Sequence, residues 1–266
     1  MDMVKPMNST RNPARRNRNI GTAKQGHGQN NRLVIPYDRE NDRMFWERLT
    51  NFKATFREIG SHRLTFLVEK TRTESFHACT VDDITYLLDH VSYSDVRKIN
   101  LIILRQPKRK EEILSRAWGR LVFYAEVGDY RGSAIILEAV EPAKSMLWRK
   151  SLDTEDQKEL ERLREDGHQI TMTKRGHEII TSLESARATQ LYRTVLHEIG
   201  HYVDSSQMSS AAWESKPSVE KETFAHRYAD MMKDQLVKDR IIPFERKLIP
   251  EKIIKDGLRL SDFCEA

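Results

Sequence analysis

The densest chemistry in the chain lies in Leu191-Tyr192-Arg193-Thr194-Val195-Leu196-His197-Glu198-Ile199-Gly200-His201-Tyr202-Val203-Asp204. Residues four apart on a helix share a face. The imidazoles of His197 and His201 can therefore hold one Zn²⁺ ion, while Glu198, beside the first, reaches a water on the metal. At about 100° per residue, His197, His201, Asp204, Thr194 and Gln190 project to one side, and Val195, Ile199, Ala188, Tyr192 and Val203 to the other. The helix is expected to dock on a core through its apolar side and to show its histidines to a cleft.

A catalytic zinc site takes a third protein ligand and keeps a fourth position open for water. The segment Ser218 to Asp230 reads as the next helix, with Glu222, Ala225, His226 and Ala229 on one stripe and the small alanines permitting close packing against the first helix. Glu222 is the best third ligand; Glu220 points roughly 160° away from it. Asp204, three residues after His201, shares the metal face and is the rival; otherwise it orients a histidine by accepting a free N–H, or caps the helix end. In such a site zinc lowers the pKa of its water toward about 7, and Glu198 accepts the proton as the hydroxide attacks a scissile carbonyl. The same proton then passes to the leaving amine. The developing oxyanion needs one further donor, for which Tyr228, His226 and Tyr202 are the candidates. His226, one turn after Glu222, also stands where a partner for a ligand would lie.

His197-Glu198-Ile199-Gly200-His201-Tyr202-Val203-Asp204, followed by Glu222-Thr223-Phe224-Ala225, resembles the gluzincin branch of zinc metallopeptidases. Within it, the catalytic domain of anthrax-lethal-factor type shows the same H-E-x-G-H-x-V-D and then E-x-F-A on the following helix. The resemblance covers Leu191 to Asp230. It implies a zincin-like fold, one zinc ion held by His197, His201 and Glu222, Glu198 as general base, and a protein or peptide substrate. Zincin folds present substrate along an exposed edge strand beside the active-site helix. By the resemblance that strand is Ala134 to Val140, the last long strand before the helix, adding a peptide by strand pairing; its weak alternation equally suits an interior strand buried on both faces. In two respects the chain departs from the pattern: only 20 residues separate His201 from Glu222, fewer than in lethal factor, and no tyrosine lies just ahead of Glu222. The same short pattern also resembles small cytosolic peptidases that cleave phage-type repressors.

The elements that must position these groups follow from periodicity. Met44, Phe45, Leu49, Phe52, Phe56 and Ile59 recur at spacings of three and four and predict a helix over Asp38–Ile59. Strands are expected at His62–Glu69, Ile99–Leu104, Leu121–Val127, Ser133–Val140 and Ile170–Thr173, the third and fourth of them a hairpin around residues 128–132. Helices are expected at Val81–Val91 behind an N-capping Thr80, at Leu152–Arg164, at Ser182–Asp204 and at Val219–Val237. A mixed sheet followed by helices suits an α+β domain, zincin-like, with a helical C-terminal half. Other polar groups get ordinary roles: His177-Glu178 on the surface, Trp213 as a packing anchor that could instead line a specificity pocket, and Arg105 to Lys110 as a solvated basic loop offset by Glu111 and Glu112.

Composition bounds the classes. The 266 residues contain two cysteines, Cys79 and Cys264, too few for a disulfide framework or a four-cysteine zinc site, and a reducing cytoplasm is the expected setting. No stretch approaches the about 18 apolar residues of a membrane span, and residues 1–10 lack the apolar core of a secretion signal. Residues 1–32 hold seven of the 45 Lys and Arg against Asp2 alone, a net +6; the rest, with 38 basic and 39 acidic residues, stands at −1. Rich in Asn, Gly and Arg and without spaced apolar residues, 1–32 is expected to be a disordered basic tail ahead of a metallopeptidase domain at 33–266. The tail contains no aromatic residue, so any nucleic acid or acidic partner it touched would be held electrostatically and without specificity. A nucleic-acid-associated regulatory or binding module on a zincin-like fold is therefore the alternative from another class, and a translocated lethal-factor-like effector protease is a third reading. A base at Glu198 is of no use to a merely structural metal site, which favours the zinc metalloendopeptidase.

Overall fold

Two neighbouring runs of strand-forming residues open the larger sheet: β1 (Phe52–Ile59) and β2 (His62–Glu69) pair antiparallel from Phe52↔Glu69 to Ile59↔His62. The computed structural model describes residues 44, 47–114, 117–142 and 144–265. The basic segment 1–32, the boundary at 33 and the first residues of the expected helix over Asp38–Ile59 lie outside them. In its described part that helix is replaced by β1. Three-and-four spacing of a few aromatic residues is ambiguous over a short run. Pairing along eight residues settles it, with Phe52 and Ala54 packed toward one face of the sheet and Ile59 buried on the other.

The strand order is β1-β2-β3-β5-β4, with β3 at Ile99–Arg105, β4 at Gly119–Val127 and β5 at Tyr130–Glu138. β2, β3 and β5 run parallel, while β4 returns antiparallel to β5. Interior parallel strands are covered on both faces, which is why Leu101-Ile102-Ile103-Leu104 and Ala134-Ile135-Ile136-Leu137 read as unbroken apolar runs. One face (Phe66, Ile102, Leu104, Ile135, Leu137) packs on the helices, and Leu67, Ile103 and Ile136 turn to the other. Each such side chain, fully buried, contributes about 1.5–3 kcal/mol. The expected substrate edge at Ala134–Val140 is thus corrected in favour of its interior alternative: residues 134–138 belong to an interior strand, and the edges are β1 and β4, the latter preceding β5 in the chain. The hairpin folds outward because β5 takes the place beside β3.

Val81–Leu88 (α1) starts at a capping box in which Thr80 Oγ1 accepts from Asp83 N–H and Asp83 accepts from Thr80 N–H. Tyr93–Val96 (α2) and Arg109–Leu114 (α3) flank β3. A second, three-stranded sheet, in the order β6 (Met146–Trp148), β8 (Gly176–Ile180), β7 (Gln169–Thr173), packs on Leu160 and Leu163 of α4 (Thr154–Glu165). His177 and Glu178 lie within β8, half-buried rather than fully on the surface. The long helix is α5 (Leu183–Thr189), a π-helical stretch (Gln190–Val195) and α6 (Leu196–Ser206) in direct succession; α7 (Ser210–Ser215), α8 (Ser218–Lys238) and α9 (Pro250–Lys255) follow. The protein is α+β with a mixed sheet, and Phe45–Ala266 form one unit. Among the described residues no helix is long and apolar enough to cross a membrane.

Two basic groups are buried, one of them against expectation. Arg105 is not in a solvated loop: it ends β3, is 2% exposed, and is held by Glu138 and Glu111. His77, 2% exposed, donates Nε2–H to the Glu69 carbonyl at 2.7 Å, and burial lowers its pKa to about 4. The unfolded chain, with an imidazole near its ordinary value, then binds the proton first as the pH falls. Stability is complete above about pH 6.5 and declines toward pH 4, by about 3 kcal/mol at most. Urea midpoints at pH 7 and 4.5 check this: His77→Gln should show a smaller acid loss than the native chain, and an equal loss would refute the assignment.

Candidate metal centre

The centre is built where α6 crosses α8. A Cβ placed on Gly200 would lie 2.9 Å from Ala225 Cα and 3.0 Å from its carbonyl oxygen, so the helices meet backbone to backbone. Only glycine on one side and a small residue on the other permit that approach. It brings together two pairs of residues spaced by four, His197 with His201 and Glu222 with His226. His197 Nε2 is 3.3 Å from Glu222 Oε2, and His201 Nε2 is 3.5 Å from Oε1. The His197 and His201 rings stand at 87° with centroids 4.6 Å apart, and the His226 ring is 4.5 Å from that of His197. His197, Glu222 and His226 each offer a donor atom within 4.8 Å of the others, so His226 belongs to the cluster, a role its sequence position alone did not assign.

The donors fit a zinc ion chemically, since the Nε2 atoms of His197 and His201 face the two oxygens of one carboxylate; the other ring nitrogen of His197, Nδ1, is buried without a hydrogen-bond partner in the protein. Hydrogen bonds from the two imidazoles hold the Glu222 carboxyl well below the usual carboxylate range, against a smaller opposing effect of burial. Glu198, 8% exposed, accepts from Leu121 N–H of β4 at 2.7 Å. Burial pushes its pKa up, and the neighbouring imidazoles and the Leu121 amide offset part of that rise.

β4 approaches this closely because its first residue is Gly119: a Cβ there would meet Ile136 O at 2.6 Å and Thr194 Cγ2 at 2.8 Å. The edge strand therefore lies against the π-helical stretch. Its register against β5 slips between Val122 and Ala125, and Tyr124 projects into solvent at 87% exposure. A bulge on an edge strand beside a site re-aims side chains and backbone. The π turn alters the expected face as well. Thr194 stays on the side of His197, but Gln190 turns into the core and donates Nε2–H to the carbonyls of Glu138 (2.7 Å) and Trp118 (3.2 Å). The apolar side is as expected, with Tyr192, Val195 and Ile199 buried against the sheet and Ala188 and Val203 packed at its margin.

Other sequence-predicted residues go elsewhere. Tyr228, 7% exposed, donates its hydroxyl to Asp95 Oδ2 at 2.7 Å, and burial with that bond pushes its pKa above the ordinary range. Its proton is committed to α2, a residue far away in sequence, and it is not placed to meet an oxyanion. Tyr202 packs against the core beside Val203. Asp204, 2% exposed, is ion-paired to Lys216 and is not part of the donor cluster. Trp213 meets Phe123 of β4 edge to face at 5.7 Å, with Lys221 over its ring at 4.6 Å. The two carboxylates separate in a metal titration: Glu222→Ala should weaken zinc by about 100-fold or more, whereas Asp204→Asn should keep zinc and lose only stability. Equal zinc affinity in both variants would refute the assignment.

Beside the cluster lies a cavity of about 170 Å³, bounded by His197, Glu198 and His226 on one side and by Trp118, Gly119 and Thr194 on another, with Glu159 and Arg193 completing it. The cavity of about 610 Å³ near Lys70–Glu74 and Arg259 has no imidazole in its lining, so the cluster lies beside the smaller of the two. Sequence reasoning did not find Trp118, Glu159, Arg193 or Lys216. The only signal was Trp118-Gly119 at a strand start, where a glycine marks close backbone approach. Comparisons with protein-family models, with curated proteins and with solved structures find no match to this chain.

Proposed function

We propose that the protein is a zinc-dependent metalloendopeptidase of zincin-like fold, with His197, His201 and Glu222 as metal ligands and Glu198 as general base. One observation carries the reading: the two Nε2 atoms of a helical pair face the two oxygens of one carboxylate at 3.3 and 3.5 Å, with a buried carboxyl, Glu198, next to the first histidine. Zinc, when bound, supplies a Lewis acid that polarises a carbonyl and brings a water's pKa near neutrality. Glu198, oriented by the Leu121 amide and raised by burial, takes the proton of the attacking water and delivers it to the leaving amine. His226, which lines the cavity beside His197, is the donor available to the oxyanion, Tyr228 being engaged by Asp95. The edge of β4 accepts the peptide as an added strand beyond Leu121, whose own N–H is given to Glu198.

Mapping of new termini in a protein extract checks the reading. Zinc-loaded protein should generate neo-termini that chelator-stripped protein does not, and that return when zinc is restored. Identical termini profiles from loaded and stripped protein would refute it.

A further inference from the structure

Arg193 stands four residues before His197 and lines the cavity beside the metal cluster. Its guanidinium is locked from behind. Nε donates to Asp166 Oδ2 at 3.0 Å, and Nη1 to the two oxygens of Glu159 at 2.7 and 2.6 Å. Asp166 in turn accepts from Thr189 Oγ1 at 2.7 Å, which is 3.0 Å from Nε2 of the buried His168. The remaining nitrogen, Nη2, is buried and has no hydrogen-bond partner in the protein. A buried guanidinium N–H is costly to leave unmatched, and Arg193 lines the same cavity as His197 and Glu198. The donor is fixed before any ligand arrives, the condition under which a single hydrogen bond discriminates most strongly.

Local charge selects the kind of acceptor. Arg193, with Arg162 at 3.7 Å from Glu159, balances Glu159 and Asp166, and a bound zinc ion would offset the adjacent Glu198 and Glu222. The wall then has no positive excess to hold a carboxylate, which Glu159 would meet as a like charge. A group that accepts from Nη2 and donates to Glu159 satisfies both walls, and a carboxamide carries both functions in one plane. We propose that this cavity is a recognition subsite for an Asn or Gln side chain of the substrate, with Arg193 as its specificity-determining residue. The inference rests on the peptidase reading above and adds the substrate class to it.

The test uses the zinc-loaded full chain and peptides randomised around the cleaved bond. One position next to that bond should be enriched in Asn and Gln over Leu, Asp and Glu. In Arg193→Met the Asn-over-Leu ratio of kcat/KM should fall about 10-fold or more. In Glu159→Gln, where the arginine keeps its charge and loses a counter-charge, Asp and Glu should gain relative to Asn and Gln. Zinc content and a cooperative melt, read on each variant, confirm an intact centre, since neither residue is a metal donor. A native enzyme that cleaves without favouring carboxamides would overturn the subsite and leave the peptidase standing; a zinc-loaded chain that cleaves no peptide would overturn both. An unchanged ratio in zinc-bound Arg193→Met also overturns the subsite. Should that variant not fold, Glu159→Gln decides alone, and the absence of a shift toward acidic residues overturns it.

Discussion

Replacing Glu198 by Gln is expected to lower kcat/KM for peptide hydrolysis by about 10²–10⁴-fold, the range of a lost general base, while zinc stays bound at one ion per chain. The two halves of that result have different causes. Glutamine preserves shape and keeps an oxygen to accept from Leu121 N–H, so β4 remains docked and the histidines keep their places. What is lost is the ability to take up a proton. Burial raises the Glu198 pKa, which makes the carboxylate a stronger base than a solvated one; the imidazoles and the Leu121 amide keep that rise in check. Steady-state cleavage of a fluorogenic peptide, together with metal analysis of the same preparation, reads both halves. A variant that lost its zinc would show Glu198 to be structural.

Gly200→Val should disable the centre by a purely steric route. The added side chain starts 2.9 Å from Ala225 Cα and 3.1 Å from Tyr228 Cβ, and the first of these is backbone that cannot rotate away. Relief requires α8 to retreat. Glu222 is on α8 and its oxygens face histidines on α6, so the retreat opens the 3.3 and 3.5 Å separations directly. Overpacking of this kind costs about 1–3 kcal/mol, and displacement of one ligand should weaken zinc by at least about 10–100-fold. Chelator competition and thermal melting separate the two effects. Unchanged zinc affinity in a folded Gly200→Val protein would show that α6 and α8 do not set the ligand spacing.

Local and non-local features of the site were unequally legible in the sequence. The pairs His197/His201 and Glu222/His226 could be read because a spacing of four on a helix has one geometric consequence, and Ala225 and Ala229 announced close packing by their size, although the glycine that Ala225 meets, Gly200, was not singled out. The edge strand could not: being the last strand of the large sheet in sequence says nothing about position in a sheet whose order, β1-β2-β3-β5-β4, depends on pairing between distant strands. Tyr228 was placed correctly on its helix, but its partner Asp95 lies 133 residues away. Gln190 defeated a projection that assumed regular α-helix, because the π stretch shifts the register just ahead of the histidine pair. Asp204 has the right offset to face a metal, and only Lys216, on the far side of α7, explains why its carboxylate is engaged elsewhere. The β1 strand failed in the other direction, since aromatic residues spaced by three and four suit a helix until an eight-residue partner is available.

The most direct test of the central claim is the zinc content of the purified chain and of its His197→Ala variant. The account predicts one zinc per native chain, removed by chelator and restored by zinc in proportion to peptide cleavage, and little or none in the variant. A native chain that binds no zinc at micromolar free metal, or a variant that binds as much as the native chain, would contradict it.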